Sequence, residues 1–282
     1  MYFKTLTGLA LLLFVSCNQK PKTSITAQEI TEEKTIPAEA DGSMEDVAVS
    51  IDQAYTTGLE KAHKKTTFLE KKVVSFDIKL SFGGNEILNG KISMLTNTSK
   101  LRIDNKDGSS LIFDGKDLYA SPKDANTKGA RFGIFTWTYF FALPYKLNDP
   151  GVNVTVQKNK TLNDKEFYAS KLTFDKNVGD APDDWYILYN NTETGLLHAA
   201  AYIVTYGSKG DTAKAEEDPH AIVYDKYQEF EGIPIATNWK FYGWRADKGL
   251  TDQLGAATLS NITFNTIATE LFEKPKNGVI VE

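Results

Sequence analysis

Three histidines and two groups of acidic residues are the side chains whose types suggest catalysis or metal binding. Zinc sites need closely spaced ligands, such as H-x-x-x-H or C-x-x-C, whereas His63, His198 and His220 are scattered along the chain. The sequence contains no G-x-S-x-G elbow, no G-x-G-x-x-G fingerprint and no Walker loop. We therefore predict no catalytic residue, no metal ligand and no cofactor, and we expect that the protein is not an enzyme.

The acidic groups are Asp183-Asp184 and Glu216-Glu217-Asp218. Two carboxylates can serve a glycosidase or bind calcium. Adjacent acids in a strand point to opposite faces, however, and both groups stand beside prolines in turn-like sequence. We interpret both groups as solvated loops.

Cys17 is the only cysteine, so an internal disulfide is impossible. Lys4 is followed by an apolar stretch at residues 6–15 and by Ser16, which is the layout of a secretory signal too short to span a bilayer. Residues 14–17, Phe-Val-Ser-Cys, resemble the lipobox at which bacterial lipoproteins are acylated and cut. We expect residues 1–16 to be a signal peptide and Cys17 to carry acyl chains such as palmitate. The alternative is a signal peptide that is cut elsewhere, with Cys17 incidental.

Residues 17–43 are rich in Thr, Glu, Lys and Pro without a repeating apolar face, which predicts a flexible tether on the lipidated end. The formal charge is −5, and removal of Lys4 with the leader makes it −6. This acidity excludes nucleic acid as an expected partner. No acidic run follows Cys17, so we expect anchorage in the cell envelope, at the outer membrane facing the periplasm.

Residues 44–282 are predicted to form a single α+β domain. Apolar residues at helical spacing predict a helix over residues 47–69. From residue 72 the period changes to two, with turns at Gly83-Gly84, Asp107-Gly108 and Asp114-Gly115, which is typical of antiparallel hairpins. After strands over residues 72–82 and 87–95 and shorter ones to Tyr119, we expect strands at 152–156, 167–174, 185–189, 196–206, 221–230, 235–244 and 256–267.

Residues 132–143, FGIFTWTYFFAL, interrupt the strand pattern. Trp137, Phe140, Phe141 and Pro144 recur at helical steps, so we predict a short apolar helix that ends before the proline. The β-propensity of this segment leaves a strand open as the alternative.

Aromatic residues make up 12% of the chain and predict the binding site. On the strand that follows residue 235, Trp239 and Phe241 fall on one face, and Tyr242 and Trp244 on the other. A sheet that is apolar on both faces is covered on both or lines a ligand cavity. We predict an apolar cleft between the sheet and the helical insert, lined by Phe132, Phe135, Trp137, Phe140, Phe141, Trp239 and Phe241. The alternative is that the insert plugs the sheet as core.

Two strings carry a resemblance to known families. Residues 114–119, Asp-Gly-Lys-x-Leu-Tyr, in this order of elements resemble the LolA-like lipoprotein-carrier superfamily. Residues 137–151, W-x-Y-F-F-x-x-P-x-K-L-x-D-P-G, resemble an uncharacterised lipoprotein family of Bacteroidota. The resemblance implies an incomplete barrel, which is a strongly curved antiparallel sheet with an N-terminal helix and a short helical insert over its concave face.

Together these features predict a membrane-anchored lipoprotein that binds an apolar ligand, such as a lipid, an acyl chain or a lipoprotein, and performs no chemistry. A structural or interaction protein of the envelope with a filled core is the alternative, and an envelope hydrolase is a third. The oligomeric state cannot be inferred from the sequence.

Overall fold

An open, curved antiparallel sheet of thirteen strands forms the body of the computed structural model, which describes residues 49–208, 210–266 and 270–282. The predicted signal peptide (1–16), Cys17 and the tether (17–43) lie outside the described residues. Within the described part, no helix is long and apolar enough to cross a membrane. The predicted α+β class, with a curved antiparallel sheet and helices over its concave face, is confirmed.

The strands match most of the alternating segments of the sequence. The predicted strand at 196–206 is too long, because pairing ends at Tyr202. The short last strand was not predicted. In chain order the strands are β1 (Val73–Phe82), β2 (Asn85–Leu95), β3 (Leu101–Asn105), β4 (Ser110–Phe113), β5 (Leu118–Ser121), β6 (Val152–Leu162), β7 (Lys165–Phe174), β8 (Tyr186–Asn191), β9 (Leu197–Tyr202), β10 (His220–Phe230), β11 (Ile233–Arg245), β12 (Gly249–Asn265) and β13 (Val279–Val281).

The order of strands across the sheet determines the path of the segment that contains the helical insert. The order is β13-β5-β4-β3-β2-β1-β12-β11-β10-β9-β8-β7-β6, so two meanders meet where β1 pairs with β12. β5 and β6 follow each other along the chain but lie near opposite ends of the sheet. The segment that joins them, residues 122–151, must therefore cross the open side of the curved sheet.

Irregular pairing accompanies the curvature. Register shifts interrupt five of the strand pairings, including β1 with β12 and β11 with β12. Such bulges bend a strand and increase its twist. At Gly255 a Cβ atom would lie 2.3 Å from the carbonyl oxygen of Ser81, so β12 can approach β1 this closely only with glycine.

Helix α3 (Ala130–Ala142) crosses the open side and confirms the predicted helical insert. It begins two residues earlier than predicted and continues into a 3-10 turn (Leu143–Tyr145) that contains Pro144. The Thr138 hydroxyl donates to the carbonyl of Ile134 at 2.6 Å, so this β-branched residue is accommodated within the helix. The strand alternative for this segment is wrong.

The prediction of one N-terminal helix over residues 47–69 is wrong, because the structure has two helices, α1 (Ile51–Ala62) and α2 (Lys65–Glu70). Ser50 caps α1 by accepting the N–H of Gln53. Leu59 and Phe68 are both buried, although on one straight helix they would point about 180° apart. The break at Lys64, which adopts a left-handed φ of 58°, lets both side chains reach the core.

Two apolar clusters pack on opposite faces of the sheet. The larger lies on the concave face, where the second half of α3 and Phe68 of α2 join side chains such as Phe76, Trp239 and Phe241. The smaller lies on the outer face of β7 to β11 around Tyr189 and Trp244, whose indole Nε1 donates to the Tyr189 hydroxyl at 3.2 Å. This agrees with the predicted division of the aromatic residues of β11 between two faces. These cores lie wholly within residues 49–282, so this part should fold independently.

Candidate functional site

A cavity of about 830 Å³ lies between α3 and the concave face of the sheet, and we call it the α3 cavity. Binding sites for small molecules occupy roughly 300–1,000 Å³ and are mostly apolar with a few polar groups. The α3 cavity fits this description. Its apolar lining outside α3 comes from Phe82, Ile87, Leu101, Phe113, Val152, Phe174, Val178, Tyr186, Tyr202, Val204 and Tyr206.

The structure brings four of the seven predicted aromatic residues to this cavity, namely Phe132, Phe135, Trp137 and Phe140. The other three, Phe141, Trp239 and Phe241, do not line it. Phe141 and Phe241 pack in the core behind α3, and Trp239 is buried against Tyr224. All seven aromatic residues lie on the concave side of the sheet, as predicted. The sequence pattern does not show which of them line the cavity and which pack in the core beneath it.

The second half of α3 is fixed core. The Phe141 ring stacks on Phe76 with centroids 4.4 Å apart, and the Phe140 ring lies 5.0 Å from that of Tyr202. The Tyr224 hydroxyl donates to the carbonyl of Phe140 at 2.8 Å, so it satisfies one of the carbonyl groups that a helix leaves unpaired at its C-terminus. This half of the helix corresponds to the predicted plug.

The first half of α3 is partly exposed and forms the cavity wall. The Phe135 ring lies 5.1 Å from that of Phe113 on β4, and the Phe132 ring lies 5.4 Å from that of Tyr206. Trp137 reaches inward, where its ring lies 6.0 Å from that of Phe241. The cleft and the plug are thus both present in one helix, whose first half forms mainly cavity wall and whose second half is mainly core, although Tyr139 and Phe140 also line the cavity.

An ion pair connects the first half of α3 to the loop between β7 and β8. The Arg131 guanidinium binds the Asp180 carboxylate with two hydrogen bonds, of which Nη2 to Oδ1 is 2.9 Å. It also lies over the Phe135 ring, 5.2 Å from the centroid. Both charged side chains line the α3 cavity and are partly exposed, so this pair lies where the cavity meets solvent.

A polar network holds the turn after α3 against the N-terminal helices. The buried Glu60 carboxylate accepts the backbone N–H and the side-chain amide of Asn148, each at 2.9 Å. Lys65 lies 2.8 Å from Glu60 and 3.5 Å from Asp149, and Lys146 pairs with Asp149. Lys146, Asn148 and Asp149 belong to the Lys-Leu-Asn-Asp-Pro-Gly part of the string at 137–151, which here ties the end of the helical insert to α1 and α2.

Gly151 ends that string at a position that requires glycine. Its φ is +78°, a region that side chains disfavour, and an added Cβ would lie 2.5 Å from a methyl group of Val178. Its carbonyl accepts the N–H of Asp175 at 2.8 Å. The loop after β7 therefore packs directly on the end of the helical insert.

Asp184 gives the cavity a polar wall, and its interpretation as part of a solvated loop is wrong. Asp183 is exposed, whereas Asp184 lines the cavity and accepts the N–H and the hydroxyl of Thr205 through Oδ1, both at 2.7 Å. Burial raises the pKa of Asp184, and the bonds from Thr205 oppose that rise. The other acidic group, residues 216–218, is exposed as predicted.

Tyrosines surround Asp184. Burial raises the pKa of Tyr139, Tyr186 and Tyr202, and the negative charge of Asp184 adds to the rise in all three. The Tyr139 hydroxyl is buried and has no hydrogen-bond partner among the described residues. Sequence analysis missed these four residues; Tyr186 and Tyr202 lie in apolar strand segments that indicate burial, but nothing local indicates the carboxylate beside them.

The histidines do not form a common site. His63 is buried between the rings of Tyr145 and Tyr227, and its Nε2 accepts the N–H of Leu197 at 2.9 Å. Only His220 lines the α3 cavity, whereas His198 stacks on Phe167. Among the residues that the structure describes, no group of three His, Cys, Asp or Glu side chains is placed to hold a metal ion.

Part of the sequence matches a known protein family. Residues 133–251 match a family described as a family of unknown function (DUF6503). No curated protein matches the sequence.

Solved structures with a similar fold come from several bacteria. A LolA superfamily protein from Nitrosomonas europaea is 12% identical, with a TM-score of 0.47, over 74% of this chain and 97% of that one. A DUF1329 family protein from Desulfovibrio piger is 13% identical, with a TM-score of 0.44, over 78% of this chain and 97% of that one. The similarity to these two structures concerns the fold alone.

Proposed function

We propose that this protein binds an apolar ligand with the cross-section of an acyl chain in the α3 cavity, and that it holds this ligand without performing chemistry. The single observation that supports the proposal most directly is the cavity of about 830 Å³ with its aromatic wall. A protein with a completely filled core would not need an apolar space of this size between helix and sheet, because protein interiors normally close-pack.

The driving force for binding is burial of apolar surface, at roughly 25 cal/mol per Å² removed from water. Partly exposed rings such as Phe132 and Phe135 lose contact with water together with the ligand, so both surfaces contribute. The fixed second half of α3 holds the wall in place while the ligand is absent. Binding should therefore need little rearrangement of the core.

We further propose that the domain works at a membrane, held through acyl chains on Cys17 and separated from the bilayer by the tether. Two or three acyl chains give stable anchorage, because each buried methylene contributes roughly 0.8 kcal/mol. An anchored protein of this kind acts as an acceptor or a local binding module rather than as a shuttle that diffuses across the periplasm.

Native mass spectrometry of residues 18–282, purified without detergent, tests the binding proposal. We expect discrete additional mass that can be extracted into organic solvent. Phe132→Glu, which places a charge on the cavity wall, should abolish it. Tyr168→Glu is the matched control, because Tyr168 is exposed and does not line the cavity. A protein that remains free of ligand, also after incubation with fatty alcohols, fatty amines, fatty acids and phospholipids, would favour the structural alternative.

A further inference from the structure

Five charged side chains line the α3 cavity, and four of them form two ion pairs. Arg131 pairs with Asp180, and Lys146 pairs with Asp149. The fifth is Asp184, so three carboxylates face two cations and the lining carries a net charge of −1. The uncompensated charge resides on one carboxylate rather than being spread over the wall.

Asp184 lacks a counter-ion in the described part of the chain. Across residues 49–208, 210–266 and 270–282, no lysine, arginine or histidine nitrogen lies within 4.0 Å of its carboxylate; Lys209 lies outside those residues. Thr205 occupies Oδ1 with two hydrogen bonds, whereas Oδ2 receives none from a described residue. His220 also lines the cavity, but burial lowers its pKa, so its ring is neutral at neutral pH. Oδ2 can therefore accept a hydrogen bond from a ligand.

A second polar group is independently without a partner. The Tyr139 hydroxyl is buried in the cavity wall and makes no hydrogen bond to a described residue. A buried hydroxyl without a partner is destabilising unless something else binds it. Tyr139 and Asp184 both line the cavity, but the Tyr139 hydroxyl is itself buried within the wall. The free oxygen Oδ2 of Asp184 thus gives the cavity a polar corner.

We propose that this corner receives the polar end of the ligand and that this end carries a hydrogen-bond donor, an ammonium or hydroxyl group, rather than a carboxylate or phosphate. The inference rests on the proposed function. An ammonium group donates to Oδ2 in a charge-assisted bond and neutralises Asp184. An anionic headgroup would place a second negative charge beside a carboxylate that is already desolvated. The favoured ligands are therefore amines and alcohols with an acyl-like chain.

The test compares decylamine, decanol and decanoate, which have chains of equal length, by displacement of a fluorescent apolar probe from residues 18–282 at neutral pH. We expect decylamine to bind at least about tenfold more tightly than decanoate, with decanol between them. Asp184→Asn keeps an acceptor for Thr205 and should remove most of the preference for the amine. Asp183→Asn is the matched control, because it removes an adjacent but exposed charge.

The outcomes separate the two proposals. Binding of decanoate as tightly as decylamine overturns the assignment of the headgroup and leaves apolar binding intact. An amine preference that survives Asp184→Asn overturns the role of Asp184. Failure of all three compounds to displace the probe contradicts the proposed function itself. The comparison of wild-type affinities needs no substitution, so it stands even if a variant folds poorly.

Discussion

Side chains at the two ends of α3 differ in whether they stabilise the fold or form the binding wall. Phe141 is buried and stacks on Phe76, and its neighbours in space include Phe68 of α2. Phe132, at the other end of the same helix, is half-exposed and lines the cavity. The two positions therefore allow stability and binding to be separated within one element.

Phe141→Ala should lower the free energy of unfolding by about 3–5 kcal/mol, since it leaves a cavity in the core. Phe132→Ala should lower it by less than about 1 kcal/mol but weaken binding of an apolar probe. Urea denaturation and probe titration of both variants check this. Equal loss of stability in the two variants would contradict the division of α3 into core and wall.

His63 should make the stability of the protein sensitive to acid. Burial lowers its pKa from 6.5 to about 3. Between these values the unfolded chain binds a proton that the native protein does not, so stability is complete above pH 6.5 and is lost as the pH falls towards 3. From pH 7 to pH 5 this one group should cost about 2 kcal/mol.

His63→Gln keeps an acceptor for the N–H of Leu197 and removes the titrating ring. We expect it to reduce stability at pH 7 but to flatten the loss between pH 7 and pH 5, measured by urea denaturation at each pH. His198→Gln gives the comparison with a less buried histidine whose pKa burial also lowers. An unchanged slope in His63→Gln would show that His63 does not control acid lability.

Part of the site could be predicted at the residue scale and part could not. The wall residues Phe132, Phe135, Trp137 and Phe140 follow from aromatic content and helical spacing. Asp184 was missed because its sequence, next to Pro182 and Asp183, is that of a surface turn. Its burial depends on Thr205 and on α3, which are distant along the chain, and no local pattern reports such contacts.

At the scale of elements, α3 is tied differently at its two ends. Tyr224 and the surrounding core hold the second half, whereas the first half depends on Arg131, its bond to Asp180 and its contact with Phe135. Partly exposed ion pairs contribute roughly 0–1 kcal/mol to stability. Such a contact can therefore break at low cost, and we expect the cavity to open on the side formed by the first half of α3 and the loop after β7.

Arg131→Gln should accelerate release of a bound apolar probe several-fold and leave the free energy of unfolding within about 1 kcal/mol of wild type. Stopped-flow displacement measures the rate. Arg102→Gln is the matched control, since Arg102 makes a similar two-bond pair with Asp104 on β3 and does not line the cavity. Equal release rates in the two variants would place the opening elsewhere.

Element types were largely predictable because alternation and turn residues are local signals. The exceptions have physical causes. Leu59 and Phe68 are both buried in the core, and on one straight helix they would point in opposite directions. The break between α1 and α2 allows both side chains to be buried. β13 was missed because three residues carry too little pattern, and it exists by pairing with β5.

At the scale of the molecule, the essential feature is that the segment between β5 and β6 covers the concave side of the open sheet. β5 and β6 lie near opposite ends, so the segment between them supplies both the plug and the cavity wall. Hairpin order was legible in the sequence. The pairing of β1 with β12 was not, because it joins residues nearly two hundred positions apart and depends on the complete fold.

Anchorage of the domain at a membrane would place the α3 cavity close to a source of apolar ligands. A flexible tether of about 26 residues would reach roughly 25–30 Å, so a domain acylated at Cys17 would stay near the lipid from which an apolar ligand leaves. We expect Cys17 to incorporate a palmitate analogue in cells and the protein to fractionate with membranes. Cys17→Ser should abolish the label and release the protein from membranes, while the purified domain keeps its affinity for an apolar probe. Labelling that persists in Cys17→Ser would contradict this site of acylation, and loss of probe binding would mean that the tether takes part in the site.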